Sequence, residues 1–306
     1  MNKESQPSAG QSMTVAAITE TETILRLADD IAVYARAWIP SRLKRLVLCV
    51  QGLGGHGGYY RALAAQLAPT DTAVIAPDLR GHGRSTGRRG DIDHFARYLE
   101  DIDAAVRWAQ ERWPDYPLIL LGESMGASIA LQYLAEVQKG HFAASLAGVA
   151  LVSPVLRPAI QPSAVEAVRF IRALLLAPAR PMLPVTGREE LGCRDKEFNA
   201  GLRADPLFVR QISARFVFQL TRWLWQTRRA APYISLPLLI LQGERDYIAH
   251  PAGTAHFLRR VATQPQLITF PTAYHCLLFD PSTPDVIQAL TSWLEQLPAA
   301  SSGEPA

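Results

Sequence analysis

Cysteine is scarce in this chain: Cys49, Cys193 and Cys276 are the only three in 306 residues. Scattered in this way they form neither an even disulfide framework nor a zinc-ligand spacing, so a reducing compartment or indifference to redox is expected. Long hydrophobic runs are missing too. No stretch reaches the about 18 unbroken apolar residues of a transmembrane helix, and the opening MNKESQPSAGQS lacks the apolar core of a secretory signal. A cytoplasmic protein is the expectation. An excess of one charge is also absent, with 31 Lys and Arg against 28 Asp and Glu and a net charge of +3. Without a basic arm, a zinc knuckle or an aromatic-basic pattern, no nucleic-acid partner is expected. What is present is 48% hydrophobic and 19% charged residues, a globular composition rather than a disordered or collagen-like one. A chain of this length forms one large domain or two small ones around a sizeable core.

After a polar start, residues 23–27 and 31–39 read as short alternating strands joined at Asp29-Asp30. The pattern then changes. Residues 46–50, 73–76, 118–121, 149–152, 238–241 and 267–270 are short apolar runs, with helical patterns at 60–67, 96–113, 127–138 and 284–297. Buried strands alternating with helices predict an α/β fold with a mostly parallel sheet, whose functional groups belong at the carboxyl ends of the strands. Between residues 154 and 236 the alternation breaks: no strand is evident, and helical segments (164–177, 197–203, 207–225) are punctuated by Pro178, Pro181 and Pro184. This stretch is expected to be a helical cap over the strand ends. The predicted organisation is a disordered N-terminal tail (1–20), a first core part (21–155), the cap (156–235), a second core part (236–298) and a frayed C-terminal tail (299–306).

Gly122-Glu123-Ser124-Met125-Gly126 sits directly after one apolar run and directly before a helical pattern. A G-x-S-x-G turn in that context needs small residues two before and two after the serine, because the bend brings strand and helix close together. It would lift the Ser124 hydroxyl into solvent at a helix N-terminus, where developing negative charge is favoured. A serine is a poor nucleophile at neutral pH, so a base must take its proton and an acid must orient that base. For a strand-to-helix elbow the expected chain order is Ser, acid, His. Asp246, just past the run 238–241, is the preferred acid, with Glu244 as the alternative. Of the histidines that follow, His250 lies on the same loop and His256 in a helical pattern, whereas His275 comes just after the run 267–270. His275 is therefore assigned as the base. The loop Gln51-Gly52-Leu53-Gly54-Gly55-His56-Gly57 follows the run 46–50, and its glycines let backbone amides converge on an oxyanion. Leu53 and Met125 are the assigned amide donors.

Gly52, Gly54 and Gly57 also spell G-x-G-x-x-G, and Asp78 stands near where a ribose-binding acid belongs, so an NAD(P)-binding oxidoreductase is the rival reading. The preceding hairpin, the Pro77 before Asp78 and the unexplained Ser124, Asp246 and His275 weigh against it.

With these residues assembled, the chain resembles an α/β-hydrolase, and within that fold it is similar to the monoacylglycerol lipase and lysophospholipase group. The resemblance rests on Gly52-Leu53-Gly54 with His56 and Tyr60, on Asp78 to Ser85, on the elbow, on Asp205-Pro206-Leu207, on Gly243 and Asp246, and on Ala273-Tyr274-His275. It implies a serine esterase acting on small-molecule monoacyl esters without cofactor or metal, through Ser124, His275 and Asp246. Where the family usually has His, this chain has Gln51; a glutamine can still hydrogen-bond across the loop, so the hole is expected to survive with an altered pitch or substrate preference. Thioesterase, acyltransferase and aminopeptidase activities of the same fold, and more remotely a non-catalytic ligand receptor, are the alternatives. In the cap, the segment 207–225 is apolar on more than one face, and Phe218 and Trp225 are assigned to acyl-chain binding. Residues 156–229 hold thirteen Arg and Lys against six Asp and Glu, which predicts transient contact with lipid surfaces. His56 and His82 are read as structural hydrogen-bonders.

Overall fold

Consecutive rather than alternate apolar positions in the central strands require cover on both faces of a sheet. The computed structural model describes residues 17–159, 162–187 and 189–300 and provides that cover. The strands are β1 (Ile18–Arg26), β2 (Ala32–Pro40), β3 (Arg45–Val50), β4 (Thr72–Pro77), β5 (Leu118–Glu123), β6 (Gly148–Val152), β7 (Pro181–Pro184), β8 (Gln211–Ser213), β9 (Leu238–Gly243) and β10 (Gln266–Phe270). The helices are α1 (Arg61–Leu67), α2 (Arg97–Arg112), α3 (Met125–Gln138), α4 (Ala164–Leu176), α5 (Glu189–Gly192), α6 (Lys196–Ala204), α7 (Ala214–Thr227), α8 (Pro251–Leu258) and α9 (Thr283–Leu294).

Eight strands form one sheet in the order β1-β2-β4-β3-β5-β6-β9-β10, and only β2 runs against the rest. The period of two along each strand splits the core into two clusters. Leu46, Leu48 and Val50 of β3 face α2 and α3, whereas Val47 and Cys49 face α1 and α9. In β9, Leu238 and Ile240 take the first side and Leu239 and Leu241 the second. Parallel strands place all their carboxyl ends on one edge, and β3, β5, β9 and β10 there lead into the loops that carry the predicted functional residues.

Three expectations need correction. The segment 207–225 is not one helix: residues 211–213 form β8, which pairs antiparallel with β7, and the helix runs over Ala214–Thr227. Ser213 stops the helix from starting earlier, because its Oγ accepts the Phe216 N–H (2.9 Å) as an N-cap. The cap therefore contains a hairpin where no strand was expected; its prolines, Pro181 and Pro184, stand at the ends of a short edge strand, where the missing N–H costs little. Residues 18–20, assigned to the N-terminal tail, belong to β1, with Ile18 opposite Pro40. The rest of that tail, residues 1–16, and residues 301–306 lie outside the described residues.

Candidate active site

The turn between β5 and α3 is as tight as the spacing of its glycines demands. A Cβ on Gly122 would lie 2.6 Å from the Ala127 Cα, and one on Gly126 would overlap the Val50 carbonyl at the end of β3. Between them Ser124 adopts φ 54° and ψ −115°, a conformation a non-glycine residue holds only where its surroundings enforce it. The Ser124 N–H donates to the Val152 carbonyl (2.9 Å), which ties the elbow to β6. Behind the serine, Glu123 is buried and accepts from the Tyr60 hydroxyl (2.9 Å); burial pushes its carboxyl pKa up, against the pull of that hydrogen bond.

His275 lies between the serine and the acid. Its Nε2 is 2.7 Å from Ser124 Oγ and its Nδ1 is 2.8 Å from Asp246 Oδ2. Asp246 is buried, and its Oδ1 accepts the N–H groups of Ile248 (2.9 Å) and Ala249 (2.7 Å). That leaves Oδ2 for the imidazole, and a donor already placed on Nδ1 makes Nε2 the acceptor for the serine proton. Gly243 brings the two loops together, since a Cβ there would overlap the Tyr274 and Ala273 carbonyls. The alternative acid, Glu244, instead accepts from Thr269 on β10 (2.9 Å) and stands at the surface. His250 caps α8, and His256 meets Arg259, so neither shares the site.

Two supporting residues escaped the sequence reading. Gln242 Nε2 donates to Asp246 Oδ2 (3.1 Å), and Gln242 Oε1 accepts from Thr254 Oγ1 (2.8 Å). The available signal was Gln242 itself, a polar residue at the end of an apolar strand four positions before the acid.

The glycine loop after β3 reaches the nucleophile: a Cβ on Gly52 would lie 3.1 Å from Ser124 Cβ. Among the described residues, neither the Leu53 nor the Met125 N–H donates to a protein acceptor, so both are free for a ligand oxygen. Gln51 is buried, and with its amide nitrogen toward Pro77 it donates to that carbonyl (2.9 Å) and accepts the Leu79 N–H (3.0 Å). The glutamine thus spans from β3 to the end of β4. The dinucleotide reading fails on the same loop. The Gly57 N–H, which would face a pyrophosphate, donates to Asp78 Oδ1 (2.7 Å), and Asp78 also holds the Arg84 N–H (2.8 Å) and Arg36 (3.0 Å). Asp78 is fully buried and both its oxygens accept from protein donors, so it is an internal brace rather than a ribose ligand. His82 is likewise internal: Nδ1 faces the Arg80 carbonyl (3.2 Å), and burial pushes its pKa down to about 4.

Core carboxylates and a cap carboxylate fasten the cap to the core. Asp91 of the core binds Ser213 (2.5 Å) and Arg215, Asp280 binds Arg194, and Asp205 Oδ2 holds His56 Nε2 (2.8 Å) and the Tyr59 hydroxyl (2.6 Å). Phe216 and Trp223 of α7 turn inward onto Phe95. Phe218 (41% exposed) and Trp225 (54% exposed) do not; Arg222 and Arg229 lie over their rings, and among the described contacts neither touches the triad. The structure adds an apolar face that the sequence reading passed over. On α4, Val165, Val168, Ile171, Leu175 and Leu176 are exposed, with Leu175 at 76%. No helix among the described residues is long and apolar enough to cross a membrane.

Comparison with known proteins shows which family the chain belongs to. The family described as serine aminopeptidase, S33 matches residues 41–282. Mouse monoglyceride lipase is 30% identical over 286 residues, covering 91% of this chain and 92% of the mouse protein. The monoacylglycerol lipase of Mycolicibacterium smegmatis is 30% identical over 267 residues, covering 84% and 90%. In fold, the chain is similar to a soluble variant of monoglyceride lipase from Saccharomyces cerevisiae solved with a substrate analogue, with a TM-score of 0.75 at 19% identity over 95% of this chain and 99% of that one. The chain belongs to the serine aminopeptidase S33 family of α/β-hydrolases, and its curated relatives within that family include monoglyceride lipases.

Proposed function

We propose that the protein is a serine ester hydrolase that cleaves monoacylglycerols or related monoacyl esters to fatty acid and alcohol. The observation that carries this reading is the single line of contacts from Asp246 through His275 to Ser124, ending beside two unpartnered amides. In the mechanism, Ser124 Oγ attacks the ester carbonyl while His275 Nε2 takes its proton. The Leu53 and Met125 amides receive the negative charge that develops on the carbonyl oxygen. His275 then returns the proton to the leaving alcohol as the C–O bond breaks, which leaves an acyl-Ser124. A water molecule, deprotonated by His275, attacks that acyl group; the fatty acid departs and the serine regains its proton. Asp246 holds the imidazole tautomer throughout and stabilises the imidazolium. The monoacylglycerol substrate is taken from the relatives' names together with the cap, whose role in chain selection Phe218 and Trp225 would share from their outer position.

The cap also supports contact with lipid surfaces. The exposed apolar stripe of α4 is flanked by Arg169 and Arg172, a combination suited to lying in an anionic interface without crossing it. Three free thiols fit work in the cytoplasm. Replacing Val168 and Leu175 together by Glu is expected to abolish co-sedimentation with phosphatidylglycerol-containing vesicles; unchanged sedimentation would end the interfacial part of this reading. The catalytic part is tested by fatty-acid release from 1-monoacylglycerols of short to long chain, with Ser124→Ala as the control.

A further inference from the structure

Five glycines stand among the seven residues 52–58, and such a loop has no conformation of its own to hold an amide in place. From below, Gln51 and Asp78 pin its two ends to the core. From above, the cap touches it. Asp205, which leaves α6, extends one carboxylate oxygen to both His56 Nε2 (2.8 Å) and the Tyr59 hydroxyl (2.6 Å), while its other oxygen accepts the Leu207 N–H (2.8 Å). His56 Nδ1 accepts the Gly58 N–H (3.0 Å), so the imidazole proton is on Nε2 and the ring carries the grip of the carboxylate to the loop backbone. Two residues on, the Val209 N–H donates to the Gly54 carbonyl (2.9 Å), and the Phe208 ring lies where a Gly54 side chain would be. Gly54, at φ +83°, directly follows Leu53, so the cap's hold on it reaches the residue beside the proposed amide donor.

We propose that Asp205 is a positioning residue for the reaction: a cap carboxylate that sets the pitch of the oxyanion loop and so directs the Leu53 N–H at the carbonyl held by Ser124. The proposal deepens the ester-hydrolase reading and rests on it for the role of Leu53. Burial works to raise the Asp205 pKa, but the hydrogen bonds from Tyr59, Leu207 and His56 prevail and hold it below the usual carboxylate range, so the grip is that of an anion. An asparagine cannot replace it. Its one carbonyl oxygen serves either the His56–Tyr59 side or the Leu207 amide, and its NH2 then confronts a donor on the other side. The cap and the oxyanion hole are thereby one mechanical unit, and a cap that lifts away loosens an amide donor as it goes.

The test uses the full chain with two nearly isosteric variants, Asp205→Asn and Tyr59→Phe. The first readout is the rate at which a fluorophosphonate labels Ser124, which needs the triad and the oxyanion hole but no particular ester. Asp205→Asn is expected to slow labelling by about 10- to 100-fold, a part of the about 100- to 1,000-fold that removal of a whole donor costs, and Tyr59→Phe by a smaller factor. The second readout separates positioning from substrate binding. Affinity for a long-chain boronic acid, which becomes tetrahedral on Ser124, should fall in step with labelling, whereas affinity for a monoacylglycerol ether analogue should stay within about twofold. Labelling of both variants at the wild-type rate overturns the proposal, and so does an equal loss of affinity for the ether analogue, which would make Asp205 a substrate-pocket residue. A wild type that releases no fatty acid from monoacylglycerol but labels readily defeats the substrate assignment, while the labelling rates still decide the role of Asp205.

Discussion

His82 should make the folded protein sensitive to acid well above the pH at which carboxylates titrate. Its imidazole is almost wholly buried; Nδ1 donates to the Arg80 carbonyl, and Nε2 has no partner among the described residues. Adding a proton to Nε2 would create a buried charge with nothing to accept its hydrogen bond, and nearby Arg89 opposes it further. Burial accordingly lowers the pKa from the ordinary 6.5 to about 4. The folded value is the depressed one, so the stabilisation is fully present above 6.5 and is lost as pH falls toward 4, where the unfolded chain binds a proton that the folded chain refuses. That gap corresponds to about 3 kcal/mol for a group this deeply buried. The assay is urea denaturation of wild type and His82→Gln from pH 7.5 to pH 4. The variant loses packing at every pH, so the informative quantity is the change of the difference with pH. Its stability deficit should shrink by about 3 kcal/mol across the range. A deficit that stays constant would mean that His82 titrates alike in both states and that burial does not depress its pKa.

Two further substitutions follow from the site. Asp246→Asn should cost about 10,000-fold in kcat, because an amide favours the wrong imidazole tautomer, whereas Glu244→Gln should leave kcat within about twofold; reversal of that order in ester hydrolysis would move the acid to Glu244. Gly126→Ala drives a methyl into the Val50 carbonyl, and is expected to lower the thermal midpoint by several degrees and to cut activity by displacing the oxyanion loop. Wild-type melting and activity for that variant would contradict the tightness of the turn.

The hydrolase core was legible because its signals are local. Each apolar run marks a strand buried on both faces, and the glycines at 122 and 126 are required by backbone contacts that any such turn must make. The order of Ser124, Asp246 and His275 along the chain, each after a strand, anticipated contacts that span 29 and 151 residues. The cap was less legible. Its apolar residues repeat at intervals compatible with a helix across β8, and only Ser213, bonded to Asp91 some 122 positions away, fixes where α7 begins. Periodicity also could not say which faces of a cap helix find a neighbour. Phe218 and Trp225 sit outside, and the apolar residues of α4 from Val165 to Leu176 also face solvent. Gln242 and Thr254 went unassigned because a single polar residue carries no spacing, and Asp205, named only within the motif Asp205-Pro206-Leu207, gained a role only through the contacts it makes.

In the proposed mechanism Ser124, activated by His275 and Asp246, cleaves monoacyl esters. The most direct test is the initial rate of fatty-acid release from a chain-length series of 1-monoacylglycerols, measured for wild type beside Ser124→Ala. Release by the wild type, abolished by the single hydroxyl deletion, is the predicted result, with a chain-length optimum set by the cap. Release that survives in Ser124→Ala would contradict the mechanism, and a folded wild type inert toward every chain length would contradict the substrate.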